Sequence, residues 1–304
     1  MISISREEYD WVNQLCPICE VPPTRFLGLR GGSAHRHSLG VESEIWQCKQ
    51  CGLIFPNPMP VPKGGVSQHY GLPPEAYFEH FTTEAKNASA LALLGEAQEF
   101  AGRVGLLIDI GSGRGELLRT AREAGWRVVG IEPSSRFAAH ASHYSGAQVL
   151  TEPVERCDLP AGKFDVAVLS GVLEHLYNPN ETMRAIARIV RPGGALYLDV
   201  PNERGLYFRT GNLYHRLRMR KWSINLSPTW SPFHVFGFSP KSLRMMLAKH
   251  GFETSRLRCY SSRSCVPPSA SLIGHLERRA ADVITSLSNY GNMGSFIDCW
   301  AIRR

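Results

Sequence analysis

The feature that most constrains this chain is an apolar run, Leu106-Leu107-Ile108-Asp109-Ile110, that breaks into Gly111-Ser112-Gly113-Arg114-Gly115. An apolar run of this length bounded by turn residues predicts a strand buried on both faces. Three glycines within five positions predict a loop where the backbone must come close to a ligand, and Glu116 to Ala124 has the pattern of the following helix. A second apolar strand, Arg127 to Ile131, then ends in Glu132. That acid can accept hydrogen bonds from both hydroxyls of a ribose held over the loop. The unit is therefore strand, glycine loop, helix and strand, and its ligand is either a dinucleotide or an adenosyl sulfonium.

Spacing separates the two. A dinucleotide fingerprint is Gly-x-Gly-x-x-Gly, with a pyrophosphate at the helix N-terminus. Here the third glycine, Gly115, comes one position early, and Glu116 would set a carboxylate against the pyrophosphate. Asp109-x-Gly111-x-Gly113-x-Gly115, followed by a strand ending in Glu132, instead resembles the class I S-adenosylmethionine-dependent methyltransferases. The resemblance implies a seven-stranded Rossmann-like α/β sheet whose last strand is antiparallel. It also implies that Asp109, Gly111, Ser112, Gly113 and Gly115 pass the methionine moiety, that Glu132 with Pro133 binds the ribose, and that Ser170, ending the fourth strand, lies beside the cofactor. Many relatives hold the adenine amino group with an acid after strand three. Pro153 stands at that place, so Glu155 or Glu152 is expected to substitute.

The N-terminal segment carries Cys16-Pro17-Ile18-Cys19 and, about thirty residues on, Cys48-Lys49-Gln50-Cys51-Gly52. Two such knuckles supply four thiolates, the number and softness that a tetrahedral structural zinc takes. Cys157, Cys259, Cys265 and Cys299 lack knuckle spacing and read as ordinary thiols. A zinc-ribbon module over residues 1–60 is thus expected, then a proline- and glycine-rich connector and lead-in helix over 61–101, then the methyltransferase domain over 102–304. The knuckles, the Cys51-Gly52-Leu53-Ile54-Phe55-Pro56-Asn57-Pro58 step and the Tyr77-Phe78 segment resemble small-molecule methyltransferases with an N-terminal zinc module. That group includes antibiotic-sugar C-methyltransferases, and the core also resembles ubiquinone-type O-methyltransferases.

Composition bounds the alternatives. The 304 residues are 43% hydrophobic and 20% charged, which suits a globular chain with room for one α/β domain and a small module. No apolar stretch reaches membrane-spanning length and the N-terminus lacks a signal-peptide core, so a cytoplasmic protein is expected. The net charge of +7 is local: no acid occurs between Arg204 and His250. This basic, aromatic insertion, residues 203–238, is expected to be a lid over the ligand crevice. It suggests an anionic small-molecule acceptor, and its piece from Leu213 to Trp222 suggests contact with an anionic membrane surface. Nucleic acid is the rival partner, but Ser170-Gly171-Val172-Leu173 is not a base-flipping motif.

Methyl transfer to oxygen or carbon requires removal of a proton, for which histidine suits neutral pH. His175, in Leu173-Glu174-His175, is the first catalytic candidate, because the resemblance puts this step at the active-site rim. Tyr70 and His234, from the lead-in segment and the lid, are the others. Helices are expected over 84–100, 134–144, 185–190, 239–250 and 272–287, with strands near 147–150, 164–170, 195–202, 252–260 and 295–302.

Overall fold

The computed structural model describes residues 6–35, 38–64, 83–227, 233–261 and 272–304. The N-terminal part forms two small antiparallel sheets. Strand β1 (Tyr9–Val12) pairs with β5 (Met59–Pro62), while β2 (Arg25–Arg30), β3 (Ser43–Gln47) and β4 (Ile54–Pro56) make the second. Tyr9 opposes Pro62, so the module extends past the expected boundary at 60, into what reads in sequence as connector. Prolines are tolerated in β5 because it is an edge strand, where a missing N–H costs no ladder bond.

The main sheet has seven strands in the order β11-β12-β10-β9-β6-β7-β8. These are β6 (Leu106–Ile110), β7 (Arg127–Ile131), β8 (Gln148–Leu150), β9 (Phe164–Ser170), β10 (Val190–Pro201), β11 (Phe252–Tyr260) and β12 (Phe296–Arg303). The two antiparallel pairs of this sheet are those of β12 with β10 and with β11, so β12 runs against the other six strands. The expected fold class is the one found. The α-helices among the described residues are α1 (Thr83–Ala101), α2 (Glu116–Glu123), α3 (Ser135–Ser145), α4 (Pro179–Ile189), α5 (Leu206–Leu217), α6 (Pro240–Lys249) and α7 (Leu272–Tyr290).

Both sheet faces are covered, which is why β6 and β9 read as unbroken apolar runs. Leu107, Val166, Val168, Tyr197 and Trp300 pack under α1 and α2 with Leu94, Ala97 and Ala121. Ile108, Leu169 and Leu198 pack on the opposite face with Met183, Ile186, Leu243 and Met246 of α4 and α6. Cys16, Cys48, Cys51, Leu53 and Phe55 belong to this second cluster, and the Phe55 and Phe236 rings lie 5.8 Å apart. The cysteine module thus shares a core with the sheet and is not a separate body.

Two expectations are corrected here. The helix expected to run through Val190 ends at Ile189, and the strand starts at once, Val190 pairing with Phe164 before a register shift to Ala195. The intervening Arg191-Pro192-Gly193-Gly194 is a bulge: Gly193 takes φ 72°, and Arg191 donates to buried Asp165 at 2.8 Å. The insertion 203–238 is also not a lid in its described part. After α5 the chain runs along the module, Leu29 donating to the Lys221 carbonyl at 2.7 Å and Ser223 to that of Leu29 at 2.9 Å. Further on, Gly237 and Ile54 exchange both backbone hydrogen bonds. Its aromatic residues Phe236 and Phe238 are fully buried, so burial against the module outweighs covering the crevice.

Candidate functional site

The loop after β6 is held against the end of β7, with Gly111 and Ser112 both donating to the Ile131 carbonyl at 2.7 and 3.0 Å. Gly111 has φ 79°, and a Cβ there would stand 2.5 Å from the Val172 methyl. Its lack of a side chain keeps the cradle open. Gly115 serves differently. It caps α2 with φ 87°, a Cβ would press on the Ala141 backbone at 3.0 Å, and it does not line the cavity. Its missing side chain lets α2 pack closely on Ala141.

Beside the loop opens a cavity of about 790 Å³ lined by Asp109, Gly111, Ser112, Gly113, Glu132, Pro133, Glu155 and Ser170. Glu132 is buried, and its two carboxylate oxygens accept the Gly113 and Ser134 amides, each at 3.0 Å. Burial raises its pKa, opposed by those two bonds. Each oxygen keeps a second lone pair for a ribose hydroxyl. Ser112 Oγ is buried without a hydrogen-bond partner, a polar atom that a bound nucleoside or amino-acid moiety could satisfy. The residues present therefore fit the expected donor. Where an adenine contact is expected, Pro153 and Glu155 line the wall and Glu152 does not; Glu155 also accepts from the Thr182 hydroxyl at 3.3 Å. Glu116 is paired with Arg114 at 2.6 Å, so its charge is offset locally.

The cavity continues under α1 to residues that the sequence reading missed: Glu96, Tyr197, Asp199, Arg258, Phe296 and Asp298. Glu96 comes from α1; strand alternation puts the others on one face, since Asp199 opposes Asp298 and Arg258 opposes Asp298 in register. Asp199 accepts from the Tyr260 hydroxyl at 2.8 Å, while Arg258 spans Asp298 at 2.6 Å and Glu96 at 3.1 Å. Acids inside otherwise apolar strands were the available signal. Among the described residues the wall carries Arg114, Arg258 and His175 as basic groups and none from the insertion 203–238, so the described part of the local basic excess gives no support to an anionic acceptor.

His175 lines the same cavity, following Glu174 in a single 3₁₀ turn (Leu173–His175) rather than opening α4. Its Nδ1 lies 3.1 Å from the Phe233 carbonyl, which can only accept, so Nδ1 carries the proton and Nε2 the lone pair. His234 does not line the cavity but packs edge-on to His175, ring centres 4.9 Å apart. Burial, with the charges of His175 and Arg30, pulls His234 down to about 3. Burial, with the charges of Asp199 and Glu203 adding to it, pushes Glu174 up to about 8. Tyr70 lies outside the described residues.

Residues 78–257 match a family model described as a methyltransferase domain. The chain belongs to that family. Its glycine cradle and strand order are those expected of a methyltransferase that uses S-adenosylmethionine. It is 28% identical over 158 residues to a ubiquinone biosynthesis O-methyltransferase of Bordetella avium, a match covering 50% of this chain and 64% of that one. A ubiquinone biosynthesis O-methyltransferase of Escherichia coli is 34% identical over 106 residues, covering 33% and 44%. The chain thus spans less than two thirds of the length of the curated relatives it matches. Among solved structures, a SAM-dependent methyltransferase from Archaeoglobus fulgidus has the same fold, with TM-score 0.52 and 17% identity over 75% of this chain and 97% of that one.

In the methyltransferase the thiol sulfurs of Cys16, Cys19, Cys48 and Cys51 all lie within 4.8 Å of one another, and Cys16 and Cys51 are 3.5 Å apart. A tetrahedral ion with bonds of 2.3 Å sets sulfurs about 3.8 Å apart, so the cluster needs only a small adjustment to close. Each knuckle is shaped by its own backbone: Glu20 donates to the Cys16 carbonyl and Gly52 to that of Cys48. The module is bound to the catalytic domain by Lys249, which donates to the Pro17 carbonyl at 2.8 Å, and by Asn180, which reaches the same oxygen at 2.9 Å. On the basic insertion, α5 and the turn after it expose Leu213, Leu217 and Met219 beside arginines. Among the described residues no helix is long and apolar enough to cross a membrane.

Proposed function

We propose that this protein transfers the methyl group of S-adenosylmethionine to a hydroxyl oxygen or nucleophilic carbon of a small-molecule acceptor, and that a structural zinc fills the cysteine cluster. One observation carries the reading: a single cavity joins the glycine loop and Glu132 to a polar floor of Tyr197, Asp199 and Asp298, with His175 on its wall. The names of the curated relatives support an oxygen acceptor in particular. S-adenosylmethionine supplies an electrophilic methyl carbon and loses its positive charge as the methyl leaves. The protein's part is to hold donor and acceptor in line and dry.

Glu132 and the glycine loop fix the donor, and Glu155 is assigned to the adenine side. Carboxylates only accept hydrogen bonds, so Asp199 and Asp298 select an acceptor that offers donors, such as hydroxyls. The Nε2 lone pair of His175 is the basic atom assigned to the acceptor's proton. Tyr70 and His234 are assigned to shaping the acceptor end. Four thiolates leave a bound zinc no open position, so its work is to hold the module together. The basic α5 segment is assigned contact with anionic membrane surfaces, to be tested by flotation with anionic and neutral vesicles.

The test is calorimetry with S-adenosylhomocysteine against NAD, followed by an acceptor screen with labelled donor. Micromolar binding of the former alone is expected, and His175→Ala should lower turnover roughly 100-fold with affinity retained. Binding of NAD alone would sink the reading.

A further inference from the structure

Glu174 Oε2 is buried and has no hydrogen-bond partner, and it lies where two histidines converge. One oxygen of Glu174 and one nitrogen each of His175 and His234 lie within 4.8 Å of one another. Nothing in the methyl-transfer scheme uses that carboxylate. We propose that Glu174, His175 and His234 form a two-histidine, one-carboxylate site for a divalent first-row cation at the acceptor end of the cavity.

The ligand chemistry agrees with the geometry. His175 donates through Nδ1 to the Phe233 carbonyl at 3.1 Å, the outer bond that usually fixes a ligating histidine and turns Nε2 toward a metal. That nitrogen lies 3.9 Å from Glu174 Oε1. Three ligands bound at about 2.1 Å to one ion stand roughly 3.0–3.6 Å apart, so side-chain rotations that close the set by roughly 1–2 Å complete the site. The two chain segments are already joined: Val235 and Phe236 both donate to the Glu174 carbonyl, at 2.8 and 3.1 Å. Two nitrogens and one carboxylate suit manganese, iron, cobalt or zinc better than magnesium, and leave coordination positions open.

Glu174 and His175 line the cavity, so the open positions face the acceptor. A cation there draws electron density from an acceptor oxygen and lowers its pKa. The inference rests on the methyltransferase reading above and refines it: His175 Nε2 then holds the cation, and the acceptor's proton leaves to solvent. The sulfurs of the cysteine cluster are a different, softer set, so manganese discriminates between the two sites.

The experiment is titration of zinc-loaded protein with Mn²⁺, following the free ion by electron paramagnetic resonance, with S-adenosylhomocysteine binding measured on the same samples. One Mn²⁺ per chain is expected. Glu174→Gln, which keeps the shape, and His234→Ala should each weaken Mn²⁺ binding at least tenfold while the S-adenosylhomocysteine Kd stays within twofold. No uptake of Mn²⁺ by protein that binds S-adenosylhomocysteine, or uptake unchanged in both variants, overturns the site alone. Failure to bind S-adenosylhomocysteine overturns the reading on which it rests.

Discussion

Replacing Glu132 by alanine separates donor recognition from everything else at this site. The carboxylate is buried and holds two backbone amides, Gly113 and Ser134, each at 3.0 Å. Alanine leaves both amides without an acceptor and removes the group assigned to the ribose. Each orphaned buried amide costs about 1–3 kcal/mol, so the fold itself loses stability. Loss of the charged acceptor should weaken S-adenosylhomocysteine binding by on the order of 1–3 kcal/mol, about 5- to 150-fold in Kd. Glu132→Gln separates the two effects, because it fills the space and keeps one oxygen for an amide while presenting N–H groups to the other partners. Calorimetry should show the glutamine variant weakened roughly tenfold or more, with a smaller loss in thermal stability than for alanine. A glutamine variant that binds S-adenosylhomocysteine within twofold of the parent would refute the placement of the donor along Glu132.

Gly111→Ala adds a Cβ 2.5 Å from Val172 at φ 79°, whereas Gly162→Ala adds one at φ 63° with nothing near it. Both carry the left-handed strain of about 1 kcal/mol or more, but only Gly111→Ala should abolish S-adenosylhomocysteine binding; equal binding by the two would contradict the cradle. Cys48→Ser should abolish zinc uptake and lower global stability by about 3 kcal/mol or more, in a single transition because the module shares its core with the sheet. Two separate transitions by calorimetry would mean that the module folds alone. Glu203 is buried beside Arg30 and Glu174, accepts from Asn225 at 2.8 Å, and burial lifts it from 4.5 to about 7. A raised carboxyl pKa means that the folded state binds the proton more tightly, so its stabilisation is complete below pH 4.5 and is lost as pH rises through 7. The rise from 4.5 to about 7 caps this loss at roughly 3 kcal/mol. Glu203→Gln should therefore flatten the fall in melting temperature between pH 5 and pH 8, and an unchanged slope would assign the fall to other groups.

That the glycine loop and Glu132 meet at one cavity was legible in sequence because its determinants are local. A glycine loop must be made of glycines that are consecutive or nearly so, and Glu132 lies at the end of the very next strand. The cysteine cluster was legible for the same reason, since each knuckle brings its pair of thiols together within one turn. Strand order was legible through the family resemblance rather than through periodicity.

What the chain kept hidden is non-local. Asp199, Arg258 and Asp298 meet only because β10, β11 and β12 pair in one register, and a slip of one residue would send each to the other face. His234 joins Glu174 and His175 across 58 residues through backbone bonds that no spacing encodes. The insertion 203–238 carried a misleading signal: its charge suggested a lid, while its buried aromatics were matched to the cysteine module, a partner more than a hundred residues earlier in the chain. Local sequence determines what each segment can bind, but only closure of the core decides which segments stand face to face.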